Sequence, residues 1–241
     1  MKRLLFTFLA YTILISCNES SPKINHERKV DTVVTVDDIV RDSTKVLVSE
    51  LPIKFDSTDV LLYAVGMVDL QKRGGYSKFS SGSYSSSEIG SSYFNRDDFR
   101  GDFFNIIFID NSGKRLLTKN EIKIKQGIFL RQIYKMNKVG YILYTIYDRD
   151  TNGDKTLDNN DVEALYISNV DGTKFTKLTN ELHEFYDYQL LKDDRKLYFR
   201  TLEDINKDGK LNNNDKFHYY FIEFINDNYS VKEYNPLDIF E

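Results

Sequence analysis

Two acidic segments of 12 residues carry the side chains whose types and spacing could do chemistry. Loop 1 (residues 150–161, DTNGDKTLDNND) and loop 2 (residues 204–215, DINKDGKLNNND) align without a gap. Both place oxygen-bearing side chains at positions 1, 3, 5, 9 and 12 and a leucine at position 8. A hard cation such as Ca²⁺ takes six to eight oxygen ligands at about 2.3–2.6 Å, and a short loop supplies them when alternate side chains point inward. The spacing therefore predicts one calcium site in each loop.

The ligands are expected to follow the same order in both loops. Positions 1, 3, 5 and 12 supply side-chain oxygens, position 7 supplies a backbone carbonyl, and position 9 acts directly or through water. The predicted ligand sets are Asp150, Asn152, Asp154, Thr156, Asp158 and Asp161 in loop 1 and Asp204, Asn206, Asp208, Lys210, Asn212 and Asp215 in loop 2. Leu157 and Leu211 at position 8 are expected to anchor the loops to the core.

This spacing resembles that of EF-hand and dockerin calcium loops. The resemblance implies the ligand pattern but neither the helical fold nor the cohesin binding of dockerins, because runs typical of strands flank both loops. Position 6, where such loops turn sharply, is Gly209 in loop 2 and Lys155 in loop 1. A non-glycine residue at positive φ costs on the order of 1 kcal/mol. We therefore expect loop 2 to bind calcium more tightly than loop 1, with an affinity of roughly 10⁻⁴–10⁻³ M.

A second register of loop 1 is open. Starting the loop at Asp148 would put Gly153 at position 6, but it would also put Lys155 at position 8 and Asn159 at position 12. We favour the register that starts at Asp150 and keep Asp148 as an additional candidate ligand.

The segments around the loops predict an all-β fold. Apolar runs of four to eight residues, rich in β-branched and aromatic side chains, are typical of strands. Examples are residues 141–147 (YILYTIY) and 217–224 (FHYYFIEF). Polar turns such as residues 110–113 (DNSG) separate the runs, and their Asn, Asp and Gly residues tolerate the positive φ that hairpins need. No window shows a sustained helical periodicity.

These strands recur in a unit of strand, insert, strand, turn and strand. We place three copies at about residues 53–126, 127–182 and 183–241. Loops 1 and 2 are the inserts of the second and third copies, which favours calcium binding over the alternative of polar turns in an Asp- and Asn-rich chain. In the first copy the insert is a serine- and glycine-rich stretch (residues 74–92), interpreted as a tolerated surface expansion rather than a binding loop. The predicted fold is therefore a set of antiparallel β-meander repeats with calcium-loop inserts.

Part of the repeat, residues 165–179 (LYISNVDGTKFTKLT), resembles the repeat of TolB-type β-propellers, whose blades carry an Asp-Gly turn followed by Leu-Thr. Residues 111–118 (NSGKRLLT) are similar, and the resemblance covers about 15 residues in each copy. It implies a β-propeller-like fold. Propellers have four to eight blades, so three copies leave open a closed propeller, a partial or irregular one, or two packed sheets.

The N-terminus is typical of an exported lipoprotein. Lys2 and Arg3 precede an apolar run at residues 4–15, which is too short to span a bilayer because a spanning helix needs about 20 residues. The Leu-Ile-Ser-Cys sequence that ends at Cys17 resembles the bacterial lipobox, which implies cleavage before Cys17 and a lipid such as palmitate on it. The predicted order is a signal peptide (residues 1–16), a lipidated tether (residues 17–29) and a β-repeat domain (residues 30–241). A secretory peptide with an incidental cysteine is the alternative.

The net charge and the absence of common catalytic motifs argue against several classes of function. The formal net charge is −4 and becomes more negative without Lys2 and Arg3, whereas nucleic-acid binding needs clustered positive charge. The sequence has no HExxH, GxSxG, P-loop or CxxC motif. His26, His183 and His218 are interpreted as surface or packed side chains without an evident partner. We therefore assign no catalytic residue and predict that the protein is not an enzyme.

These observations predict a lipid-anchored, calcium-binding envelope protein that acts as a binding or scaffold module. The lipobox and the abundance of Asn, Lys, Asp and Tyr favour the envelope of a Gram-negative bacterium, with the outer membrane favoured. The expected partner is another envelope protein or a glycan. The alternative is a surface glycan-binding protein or weak glycoside hydrolase, because the 17 tyrosines could stack on sugars, although the absence of tryptophan counts against it. A calcium sensor is a third hypothesis, but it needs a bistable element that the sequence does not show.

Overall fold

The computed structural model describes residues 21–27, 46–68, 93–94, 96–191 and 195–240. Within these residues the chain forms 14 β-strands, all paired antiparallel. The strands are β1 (Val46–Ser49), β2 (Leu61–Val68), β3 (Tyr93–Phe94), β4 (Asp98–Phe103), β5 (Asn105–Asp110), β6 (Gly113–Leu116), β7 (Lys123–Phe129), β8 (Tyr141–Tyr147), β9 (Glu163–Asn169), β10 (Thr176–Lys177), β11 (His183–Leu191), β12 (Lys196–Glu203), β13 (Lys216–Ile225) and β14 (Asn228–Tyr234). The predicted all-β class is confirmed.

Several predicted features lie outside the described residues. These are the signal peptide (residues 1–16), the lipidated Cys17 and the serine-rich insert (residues 74–92). Of the predicted tether, only residues 21–27 are described.

Two short helices are described, α1 (Arg131–Asn137) between β7 and β8 and a 3-10 helix (Asp238–Phe240) after β14. Helix α1 has only 7 residues, which is too short to produce a helical periodicity in the sequence. It buries Ile133 completely, and Lys138, whose φ is 62°, caps its C-terminus. No described helix has the length and apolar character needed to cross a membrane.

The strands form three sheets, in the orders β1-β2-β5-β6, β10-β9-β8-β7-β4-β3 and β11-β12-β13-β14. The four-stranded meanders β7 to β10 and β11 to β14 overlap the predicted second and third copies, although β7 begins at Lys123, before the predicted boundary at residue 127. In both, the acidic loop joins the second strand to the third: loop 1 joins β8 to β9, and loop 2 joins β12 to β13. In the first sheet the corresponding connection, between β2 and β5, includes β3 and β4, which pair with the middle sheet.

Strand β8, at the centre of the middle sheet, is buried on both faces, which explains why it shows no alternation of polar and apolar residues. All seven residues of β8 are buried. Ile142 and Tyr144 pack in a hydrophobic cluster with side chains of the first sheet, whereas Tyr141 and Leu143 pack in a second cluster with side chains of the third sheet. The three sheets therefore form stacked layers, and the hairpins that carry loops 1 and 2 rise from this core.

Candidate metal centre

Loops 1 and 2 close hairpins whose ladders end at defined residue pairs. Tyr147 pairs with Glu163 at the end of the β8–β9 ladder, and Glu203 pairs with Lys216 at the end of the β12–β13 ladder. Loop 2 fills the whole connection after its last pair, so its positions 1 and 12 directly adjoin that pair. Loop 1 has additional residues on both sides. The buried strands fix the ends of both loops, and those ends carry the predicted carboxylate ligands.

Position 1 of both loops accepts a hydrogen bond from the backbone N–H of position 6. The Lys155 N–H donates to Asp150 Oδ2 at 2.9 Å. The Gly209 N–H donates to Asp204 Oδ2 at 2.8 Å. This shared bond aligns the two loops with loop 1 starting at Asp150.

Asp148 lies outside this shared pattern. Its Oδ2 accepts hydrogen bonds from the Tyr166 hydroxyl at 2.6 Å and the Lys177 ammonium at 2.7 Å. Because Tyr166 is on β9 and Lys177 is on β10, the Asp148 carboxylate fastens the start of the loop to the middle sheet. Asp148 therefore has a structural role and is not part of the candidate centre.

Position 12 of both loops accepts a hydrogen bond from the backbone N–H of position 9. The Asp158 N–H donates to Asp161 Oδ2 at 2.9 Å, and the Asn212 N–H donates to Asp215 Oδ2 at 2.7 Å. At positions 3, 5 and 9 of both loops, the side-chain oxygen accepts the backbone N–H two residues ahead. These repeated Asx turns curl the two loops in the same way.

Positions 4 and 6 of both loops have positive φ. In loop 1 these residues are Gly153 (φ 86°) and Lys155 (φ 68°), and in loop 2 they are Lys207 (φ 58°) and Gly209 (φ 78°). Each loop therefore has one glycine and one strained lysine. The expectation that the glycine at position 6 distinguishes loop 2 is corrected, because loop 1 has its glycine at position 4.

The two loops differ in the surroundings of their buried carboxylates. Asp204 and Asp215 each bury one oxygen, Oδ1, that accepts no hydrogen bond among the described residues. The Asp204 side chain is only 1 % exposed. In loop 1 the Oδ1 of Asp161 accepts the Thr151 N–H at 2.7 Å and the Asn152 N–H at 3.3 Å. A buried acceptor without a donor costs about 1–3 kcal/mol, and more when it is charged, so loop 2 has a deficit that a cation would remove.

Hydrogen bonding also fixes the charge of Asp204. Burial acts to raise its pKa, but interactions with His26 and with the backbone N–H groups of Gly209 and Lys207 outweigh burial and lower the pKa of Asp204 below its usual value. Asp204 is therefore a carboxylate at neutral pH, as a cation ligand must be. In loop 1, burial raises the pKa of Asp161 despite the backbone N–H groups that it accepts.

Residues 21–27, here called the N-terminal segment, are packed against loop 2. The N–H groups of Lys23 and Ile24 donate to the Gly209 carbonyl at 2.8 and 3.1 Å. Ile24 is 3 % exposed. This part of the predicted tether therefore belongs to the folded domain, because its apolar side chain and backbone donors are buried and paired there.

The N-terminal segment contacts loop 1 as well. The Asn25 N–H donates to the Thr151 carbonyl at 2.8 Å. On the other side, His26 Nε2 lies 2.8 Å from Asp204 Oδ2. The segment thus connects position 2 of loop 1 with position 1 of loop 2, and its histidine contacts the Asp204 oxygen that already has a donor.

The remaining candidate ligands lie toward solvent. Asp154, Thr156, Asn206, Asp208 and Asn212 are exposed, whereas Asp150, Asn152, Asp158, Lys210 and Asp215 are half-buried. Leu157 and Leu211, the expected anchors, are only half-buried. A cation would therefore approach each loop from solvent and meet the carboxylates at positions 1 and 12, of which Asp161 and Asp204 are buried, from the outside.

Comparison of the chain with protein-family models, curated proteins and solved structures gives no match. The likenesses to a lipobox, to EF-hand loops and to TolB-type repeats are therefore resemblances of short stretches. Function is inferred from the geometry of the chain itself.

The structure also brings together three side chains that lie far apart in the sequence. His183, Glu203 and His218 lie on β11, β12 and β13, and one ligand atom from each lies within 4.8 Å of the others. His183 and His218 are packed side chains, as one of the two sequence interpretations has it, but each has hydrogen-bonding partners that the sequence did not show. No local motif reveals this group, because its members meet only through the register of three strands.

Proposed function

We propose that this protein is a lipid-anchored, calcium-binding protein of the bacterial envelope that has no enzymatic activity and acts as a binding or scaffold module. The observation that carries the proposal is the pair of buried, unpartnered oxygens of Asp204 and Asp215. They stand at positions 1 and 12 of a loop with the ligand spacing of a calcium site. A divalent cation bound between such oxygens replaces the missing donors.

Loop 2 is the stronger of the two proposed sites. In loop 1 the Asp161 carboxylate already accepts backbone N–H groups at both oxygens. Calcium binding there must compete with these bonds, whereas in loop 2 the corresponding Oδ1 of Asp215 has no described donor. The ranking is the one expected from sequence, but its reason is hydrogen bonding rather than the position of the glycine.

Calcium bound to loop 2 would stabilise more than the loop. Because the cation binds the folded loop and not the unfolded chain, it stabilises the fold by mass action. Asp204 also contacts His26, and Gly209 accepts two N–H groups of the N-terminal segment. Calcium would therefore hold the hairpin and the N-terminal segment together as one unit.

The position of the N-terminal segment has a consequence for the proposed anchor. Cys17 lies four residues before Ser21, where the described segment begins. Four extended residues span at most about 14 Å. A lipid on Cys17 would therefore hold loops 1 and 2 beside the membrane surface, rather than at the end of the longer tether expected from sequence. We place that membrane in a Gram-negative envelope, with the outer membrane favoured.

At the level of architecture, we propose that the three stacked sheets are blades of a partial β-propeller. The support is the four-strand order of the first and third sheets, which the six-stranded middle sheet repeats in β7 to β10, the equivalent connections that carry inserts, and the face-to-face packing of the middle sheet with its neighbours.

A glycan is favoured among the proposed partners by a groove of about 320 Å³ on the third sheet. Its lining includes Tyr188, Tyr198, Tyr219, Tyr234 and Arg200. Tyrosine rings can stack on sugar faces while their hydroxyls remain hydrated. Asp187, the one carboxylate among the described lining residues, is paired with Arg200, which favours binding over hydrolysis by two carboxylates. Loss of glycan-array binding in Tyr234→Ala would support this partner, and a silent array for the unaltered protein would remove it.

Calcium titration of position-12 variants tests the proposed calcium function. We expect isothermal titration calorimetry of the mature chain in detergent to show a tighter and a weaker calcium site. Asp215→Asn should weaken the tighter site at least tenfold, because it removes one of the three carboxylates of loop 2. Asp161→Asn, the matched variant at position 12 of loop 1, should leave the tighter site unchanged. Absence of binding at millimolar calcium, or equal effects of the two variants, would contradict the proposal.

A further inference from the structure

Three strands of the third sheet bring His183, Glu203 and His218 together. The ladders pair His183 with Glu203 and Thr201 with His218, so the three side chains are on neighbouring strands. His218 Nε2 lies 2.7 Å from Glu203 Oε2, and His183 Nε2 lies 4.0 Å from Glu203 Oε1. The centroids of the two imidazole rings are 4.9 Å apart. Both Nε2 atoms are thus directed toward one carboxylate.

The other nitrogen of each imidazole ring has its own partner. His183 Nδ1 lies 3.2 Å from Thr201 Oγ1, and His218 Nδ1 lies 2.9 Å from Glu233 Oε1. His218 Nε2 donates to Glu203 Oε2, so a metal would take the place of this proton while Nδ1 keeps its oxygen partner. Metal-binding histidines are oriented in this way, with the second nitrogen donating to a carboxylate or another oxygen.

The donor set selects a class of cation. Two imidazole nitrogens and one carboxylate suit borderline divalent metals, whereas calcium prefers oxygen ligands alone. The ligand atoms lie within 4.8 Å of one another, and around tetrahedral zinc, with bonds of about 2.0–2.1 Å, they would lie roughly 3.3–3.5 Å apart. Small side-chain movements would reach this spacing: His218 Nε2 and Glu203 Oε2, at 2.7 Å, must separate, and His183 Nε2 and Glu203 Oε1, at 4.0 Å, must approach. Burial lowers the pKa of His183, which favours the neutral imidazole that binds metals.

We propose that His183, Glu203 and His218 form a transition-metal site, with Zn²⁺ as the best-fitting ion. The site supplies three protein ligands and leaves one coordination position for water. It is separate from the calcium loops, although Glu203 directly precedes Asp204, because Glu203 contacts the two imidazoles whereas Asp204 contacts Gly209 and His26. The proposal is independent of calcium binding by loop 2.

Zinc titration of the mature chain, prepared without a polyhistidine tag, tests this proposal. We expect one high-affinity Zn²⁺ per chain in competition with a chromophoric chelator, and Co²⁺ in its place should give the intense visible absorption of a tetrahedral site. His218→Ala and Glu203→Gln should each weaken zinc binding at least tenfold. Glu203→Gln keeps the shape of the side chain, so it reports on the ligand even if the alanine variant folds poorly.

The third histidine of the chain provides the matched control. His26 lies outside the cluster and contacts loop 2, so His26→Ala should keep the zinc affinity of the unaltered protein. Millimolar calcium should leave zinc bound, because the two sites use different ligands. Failure to bind micromolar zinc, or zinc binding that Glu203→Gln and His26→Ala reduce equally, would overturn the proposal. The outcome of this zinc test does not depend on whether loop 2 binds calcium.

Discussion

Asp204 has two oxygens in different surroundings. Oδ2 accepts the Gly209 N–H and contacts His26, and Oδ1 has no donor within the described part of the chain. The hydrogen bonds to Oδ2 fix the orientation of the carboxylate. Oδ1 is therefore held in a fixed position and is desolvated. A carboxylate held in this way loses little conformational entropy when a cation binds.

The pKa of Asp204 leads to a prediction at the scale of this residue. Burial opposes ionisation, but hydrogen bonds from His26 and Gly209 lower the pKa in the folded state. The stabilisation is therefore fully present above the unfolded pKa of about 3.9 and is lost as the pH falls through the lower folded-state pKa. In chelator, the unaltered protein should exceed Asp204→Asn in free energy of unfolding at pH 5–7, and the difference should shrink below about pH 4. Urea unfolding measures it, and a difference that grows on acidification would contradict the assignment.

At the scale of elements, the N-terminal segment and loop 2 form one packed unit. The segment has few apolar residues, and Ile24 is the one that the fold buries among residues 21–27. Its backbone donors pair with Gly209 and Thr151. A substitution that distorts loop 2 should therefore also loosen the packing of the N-terminal segment, which leads toward Cys17.

Gly209→Ala tests this coupling. A Cβ at Gly209, where φ is 78°, would lie 2.4 Å from the Ile24 carbonyl oxygen, so the backbone must shift. We expect a loss of roughly 1–3 kcal/mol in stability and faster hydrogen exchange at the amides of Lys23 and Ile24.

Gly113→Ala is the matched control for this variant. Gly113 also has a positive φ, 125°, but nothing lies within 4 Å of a Cβ built on it. The control variant should lose only the stability that corresponds to backbone strain in its own turn. The amides of Lys23 and Ile24 should remain protected from hydrogen exchange. Equal protection of these amides in both variants would show that loop 2 does not hold the segment.

At the scale of the whole molecule, sequence patterns predict the structure correctly where it depends on local contacts or on a repeat. The apolar run of β8 and the matching inserts predict the strands and the connections that carry loops 1 and 2. Patterns fail where the contact depends on long-range register, as for His183, Glu203 and His218. They also fail for the N-terminal segment, because a short polar stretch with one buried isoleucine looks like a tether until its backbone partners are known.

Thermal unfolding of the mature chain in calcium and in chelator tests the central claim most directly. If the dissociation constant is about 0.1 mM, 10 mM calcium is about a hundredfold excess and adds about 2.7 kcal/mol. For a chain of this size the Tm should rise by roughly 5–10 °C. Asp215→Asn should remove most of the rise, Asp161→Asn should retain it, and magnesium at the same concentration should produce less. An equal Tm in calcium and chelator, or a full rise in Asp215→Asn, would contradict a calcium site in loop 2.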